Sequence, residues 1–148
     1  MNTDAFNLSR FIEAQKASYA TALAELRAGR KRTHWIWFVL PQLKGLGRSV
    51  NADYYGLCGL AEAHAYLAHP LLGQRLREAT AAMLAHPSAE AASVLGELDA
   101  LKFRSCMTLF SRADPTEPAF GAALDRFFAR KPDVRTLRLL GETGKCSH

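Results

Sequence analysis

Between His34 and Gln42 the chain reads HWIWFVLPQ, and no other segment limits the possible folds as tightly. Aromatic and β-branched residues give Trp35–Val39 strand propensity. A buried strand, however, needs partners for its amides and carbonyls, and no other segment offers a convincing one. A helix satisfies those groups internally. The run is therefore expected to be a short, nearly all-round apolar helix, buried among others and stopped near Pro41.

The rest of the chain is compatible with that choice. Leu8, Phe11, Ile12, Tyr19, Leu23 and Leu26 keep close to helical spacing, and Gly29 is placed to end that helix. Alanine, glutamate and leucine favour helix over Ala61–Ala68, until His69-Pro70 interrupts it and Pro70 starts the next. Leu72, Leu76, Ala79 and Met83 form an inward stripe that ends before His86-Pro87. Ser88 is read as the cap of a short helix closed by Gly96, and Asp99 as the cap of another, with Phe103, Cys106, Met107 and Phe110 on one face. Phe120, Leu124, Phe127 and Phe128 mark a further helix, and Asp133 caps a last one, with Gly141 as its stop. The expectation is an all-α, single compact domain over 1–148, built from about seven to eight short helices, with 1–5 and 142–148 as flexible ends. At 148 residues and 49% hydrophobic content, the chain can bury a sizeable core.

Six of the nineteen cations, Arg27, Arg30, Lys31, Arg32, Lys44 and Arg48, lie between Glu25 and Asp53, where there is no acidic residue. The other thirteen face fourteen acids, so the net charge of +5 belongs to this region. Such a patch attracts a small anionic ligand or an acidic protein partner, or merely keeps an apolar segment soluble. It lacks the exposed aromatic interleaving of a nucleic-acid surface. The run Trp35–Leu40 is too short to cross a membrane. MNTDAFNLSR has no basic, apolar and cleavage-site regions in order, and Cys58, Cys106 and Cys146 fit neither a disulfide framework nor a zinc pattern; a cytoplasmic protein is expected. His64 and His69, five apart, miss the spacing that puts two ligands on one helix face, so no metal or other cofactor is assigned.

Two clusters carry candidate chemistry. In the first, His34 has the ordinary titration range of a general acid or base, and Gln42 offers a donor and an acceptor beside the KGLGRS turn. Trp35 and Trp37 point about 200° apart on a helix, so one belongs to the core and the other can stack on a ligand; Trp35 is taken as the ligand-side residue. In the second, Arg104, Ser105 and Thr108 share a face, with Arg104 suited to a carboxylate or phosphate. Cys106 reads as a small buried hydrophobe. Lys31 or Lys102 would be the nucleophile and His34 or Glu62 the acid or base of any catalysis.

FIEAQ, ELRAGRKRTHWIWFVLPQLKGLG, EAHAYLAHPLLGQRL, LDALKFRSCMTLF and TLRLLG together resemble, nearly end to end, the bacterial family known as domain of unknown function 1810 (Rv-1873-like, at times mislabelled calpastatin). The resemblance implies a compact, predominantly α-helical domain and no established activity. Where the family usually carries a second serine after KFRS this chain has Cys106, so no role needing that hydroxyl carries over. A looser similarity to the NADAR group of ADP-ribose-processing proteins, with a lysine and aromatics early and a lysine-phenylalanine helix late, points to a nucleotide or ADP-ribose derivative as the anionic ligand. The pocket would lie where His34–Gln42 meets Lys102–Thr108. The alternative is a non-catalytic helical adaptor for an acidic protein partner.

Overall fold

The computed structural model describes residues 4–142. Most of the segments expected to be flexible ends therefore lie outside the described residues. Within them the chain forms nine helices: α1 (Ser9–Ala28), α2 (Ile36–Val39), α3 (Val50–Tyr54), α4 (Leu60–Ala68), α5 (Pro70–Leu84), α6 (Ala91–Leu95), α7 (Glu97–Ala113), α8 (Pro118–Phe128) and α9 (Val134–Glu142). No described helix is long and apolar enough to cross a membrane.

Local chemistry explains most boundaries. Gly29 ends α1 at φ 80°, in the left-handed region where glycine has no Cβ penalty. His69 ends α4 and caps α5: its Nδ1 accepts from the N–H groups of Leu71 and Leu72, and Pro70 occupies the first helical position, where no N–H is needed. Asp133 accepts from the N–H of Thr136 at the start of α9. The expected boundaries shift in four places. Glu90, not Ser88, precedes α6, and α7 starts at Glu97, two residues before Asp99, because Gly96 breaks the chain. Gly141 lies inside α9, and α3, capped by Ser49, is too short to announce itself by periodicity.

The HWIWFVLPQ run becomes the four-residue helix α2, with Trp35 before it and Leu40 after it. Beyond Pro41 the backbone pairs once with a distant loop: Leu57 N–H donates to the Gln42 carbonyl at 3.0 Å, and Lys44 N–H to the Leu57 carbonyl at 2.7 Å. Gln15 of α1, 1% exposed, supports α2 from below. Its amide nitrogen donates to the Phe38 carbonyl at 2.7 Å and to the Tyr66 hydroxyl at 3.2 Å, while its oxygen accepts from Arg75 at 3.2 Å.

The segment entering α2 is held by Glu25, whose carboxylate accepts from the N–H groups of Arg32 and Thr33, the Thr33 hydroxyl and the Trp35 indole. Phe11, Leu26, Trp35, Tyr66, Leu72, Leu76, Phe103, Phe110 and Phe120 fill one core. α7 runs through it, packed against α2, α4, α6, α8 and α9. α4 and α5 approach so closely that a Cβ on Gly73 would stand 2.1 Å from the Leu67 carbonyl oxygen. Cys106 is a free, fully buried thiol whose pKa burial drives up, as suits a small hydrophobe. Cys58, in contrast, is disulfide-bonded, which the odd, widely spaced cysteines do not announce.

Two outcomes follow for stability. Gly73→Ala is expected to lower it by about 1–3 kcal/mol in denaturant unfolding, since backbone must move to admit the methyl. Partial burial opposes ionisation of Glu25, but its four hydrogen bonds outweigh that and take the carboxyl from the ordinary 4.5 to about 2. Glu25→Ala should therefore cost about 1–3 kcal/mol at neutral pH. Measured against wild type, that cost should be constant above pH 4.5 and shrink as the pH falls from 4.5 through 2.

Candidate functional site

α7 and the segment after α2 do not close completely on one another. Between them lies a cavity of about 380 Å³, walled by Trp37, Gln42, Leu46, Leu101, Lys102 and Ser105, with Asp133 and Arg135 from the start of α9. Trp35, just before α2, and Trp37, inside it, have different surroundings: Trp35 is 1% exposed in the core, and Trp37 is half-buried on the cavity wall. The glycines of the KGLGRS turn bring Leu46 to the rim, Gly45 taking φ 101°.

Gln42 gives the cavity its chemistry. It is 8% exposed, and no described group hydrogen-bonds its carboxamide, although its backbone carbonyl is used by Leu57. The amide is buried against protein on most sides and meets the cavity on the remaining one. With no described partner, the amide is open to the cavity and can both donate to and accept from a ligand there.

A three-charge cluster sets the wall beside it. Asp99 receives Lys31 at 2.9 Å on one oxygen and Lys102 at 3.1 Å on the other. Each lysine also lies over an indole, Lys31 5.2 Å from the Trp35 ring centre and Lys102 4.5 Å from that of Trp37. Asp99 thus acts as a counter-ion that fixes two cation–indole pairs, one in the core and one on the cavity, rather than as a helix cap.

The expected site residues divide accordingly. Gln42, Lys102 and Ser105 line the cavity together. Ser105 spends its proton on the Leu101 carbonyl at 3.1 Å and can still accept. Trp35 does not reach the cavity, because its ring packs in the core and its indole N–H is bound to Glu25. Arg104 lies against Phe128 and donates to the carbonyls of Lys131 and Pro132, so its guanidinium ties down the approach to α9. Thr108 is fully buried, donating to the Arg104 carbonyl and accepting from Asp133 N–H. Lys31 and His34 sit instead on an open groove beside Leu95–Asp99. Glu62 is 3% exposed and paired with Arg10 at 2.9 Å in another cavity, where the acid and base satisfy one another. The three groups proposed for catalysis are not gathered at one point: Lys102 is on the cavity, Lys31 and His34 on the groove.

Sequence reasoning missed Asp133 and Arg135 as cavity residues. Asp133 carries a visible signal only as a cap, and Arg135, which donates to the Leu46 carbonyl at 3.2 Å across 89 positions, carries none.

The chain was compared with known proteins. The model of a family described as "Protein of unknown function (DUF1810)" matches residues 5–140. A solved structure, the conserved hypothetical protein Rv1873 from Mycobacterium tuberculosis, is similar at 46% identity and a TM-score of 0.92, covering 93% of this chain and 99% of that one. No curated protein matches.

The two indoles should be separable by fluorescence. In Trp37→Phe the remaining Trp35 emission is expected to be blue-shifted and poorly quenched by acrylamide; in Trp35→Phe the remaining Trp37 emission should be quenched several-fold more strongly.

Proposed function

We propose, for a chain that belongs to the DUF1810 family of proteins of unknown function, that the cavity between α2 and α7 binds a small anionic ligand with a flat ring, such as a nucleotide or an ADP-ribose derivative. The observation that carries this reading is the unpartnered carboxamide of Gln42, more than nine-tenths buried and turned to the cavity. Around it stand an indole face on Trp37 for stacking and the cations Lys102 and Arg135 for a negative group. A volume of about 380 Å³ is within the range of ligand sites, roughly 300–1,000 Å³. An adaptor whose tryptophan motif only builds the core would bury Trp37 and give Gln42 a protein partner; Trp37 is only half-buried, and no group among the described residues bonds the Gln42 carboxamide.

Thermal unfolding of the purified protein against nucleotides, ADP-ribose, phosphate and a salt control tests the proposal. A ligand at 100 times its Kd should add about 2.7 kcal/mol, a rise of roughly 2–8 °C for a domain of this size. Gln42→Leu should abolish the shift while changing the stability of the ligand-free protein little, since no described group hydrogen-bonds the carboxamide. Arg104→Ala, which removes an anchor of the chain before α9 but no group on the cavity wall, should weaken the shift less than Gln42→Leu does. No rise beyond salt, or a rise that survives Gln42→Leu, would exclude this site and favour an acidic protein partner.

A further inference from the structure

The cavity contains a carboxylate that its helix uses only by half. Asp133 Oδ2 accepts from the Thr136 N–H at 2.9 Å and the Thr136 hydroxyl at 2.6 Å, which caps α9. The Asp133 N–H donates to Thr108 Oγ1 at 2.8 Å, fixing the residue from behind. Oδ1 has no hydrogen-bond partner among the described residues, and Asp133 forms part of the cavity wall.

An acceptor with negative charge is out of place in a site that only gathers anions. It repels phosphate and suits neutral donors, of which ligand hydroxyls are the commonest. The other walls supply what the rest of such a ligand needs. Trp37 presents a flat face, and Gln42, 8% exposed and unpartnered, sets an N–H donor beside a carbonyl acceptor, matching the paired donor and acceptor on a nucleobase edge. Lys102 and Arg135 supply positive charge. A flat ring with an amide-like edge, hydroxyls and one anionic group describe a ribonucleotide. A carboxylate accepting from ribose hydroxyls is an arrangement found in nucleotide sites of other folds. At about 380 Å³ the cavity lies near the small end of ligand sites, which suits one nucleotide unit better than two.

We propose that the cavity takes a ribonucleoside monophosphate, with Gln42 reading the base edge and Asp133 Oδ1 accepting from the ribose hydroxyls, so that ribose is selected over deoxyribose. This rests on the anionic-ligand reading of the same cavity and narrows it.

Calorimetric titration of the full chain with the four ribonucleoside monophosphates, their 2′,3′-dideoxy counterparts and inorganic phosphate tests it. At least one ribonucleotide should bind, with its dideoxy counterpart weaker by about 10- to 100-fold, the loss of one charge-assisted hydrogen bond or more. Asp133→Asn can keep the cap through its amide oxygen while turning an NH2 to the cavity. It should erase the difference between the ribo- and dideoxynucleotide, with the dideoxy form bound no more weakly than by wild type, because losing the negative charge also relieves its repulsion of phosphate. Equal binding of ribo- and dideoxynucleotides by wild type would overturn the sugar reading alone, and that comparison needs no folded variant. A ribose preference that persists in Asp133→Asn would also overturn it. Failure of every nucleotide to bind would overturn it together with the nucleotide reading of the cavity.

Discussion

A four-residue helix buried in a protein core cannot satisfy its own backbone, and the position of Gln15 answers that difficulty here. One amide at 1% exposure reaches the Phe38 carbonyl in α2, the Tyr66 hydroxyl in α4 and Arg75 in α5, so the helix that sits in the middle of the fold is pinned by three others. With its carbonyl end fixed in this way and its entry held by Glu25, α2 has one orientation about its axis. That orientation sends Trp35 into the core and leaves Trp37 at the edge.

The cavity follows from the same constraint. α7 has Phe103 and every residue from Ser105 to Phe110 buried, while Leu101, Lys102 and Ser105 line the cavity beside the segment leaving α2. Asp99 pairs with Lys31 and Lys102 at once and offsets one of their two charges, which holds both cations close to indoles at the boundary of the core. Arg104 and Thr108, one turn of helix apart, draw the chain before α9 onto α7 and so bring Asp133 and Arg135 to the opening. Residues suited by type to hold a ligand thus hold the wall on which the cavity-facing residues stand.

Much of the fold was legible because its signals are local. Gly29 ends a helix by its own backbone freedom, and His69-Pro70 breaks one helix and starts the next within two positions. The choice of helix over strand for HWIWFVLPQ rested on the lack of a pairing partner, and α2 agrees with it, although only Ile36–Val39 are helical. α3 was not legible, since five residues hold too little periodicity to stand out from a loop. A smaller part of the cavity wall was legible in the same way: Gln42, Lys102 and Ser105 are polar positions beside apolar runs on two segments that meet there. Arg104 was misleading because a guanidinium looks the same in sequence whether it faces an anion or a carbonyl.

The amino-acid sequence by itself determined the all-α class, the punctuation of the longer helices and the concentration of positive charge between Glu25 and Asp53. Each depends on interactions within a few residues or on composition alone. The tertiary structure decided which indole is core, which polar groups find partners and which do not. Arg104 is occupied by carbonyls 27 and 28 residues away, Thr108 by an N–H 25 residues away, and the Gln42 carboxamide by nothing among the described residues. Hydrogen-bond satisfaction is a property of what packing brings within about 3 Å of an atom, and no local pattern encodes that.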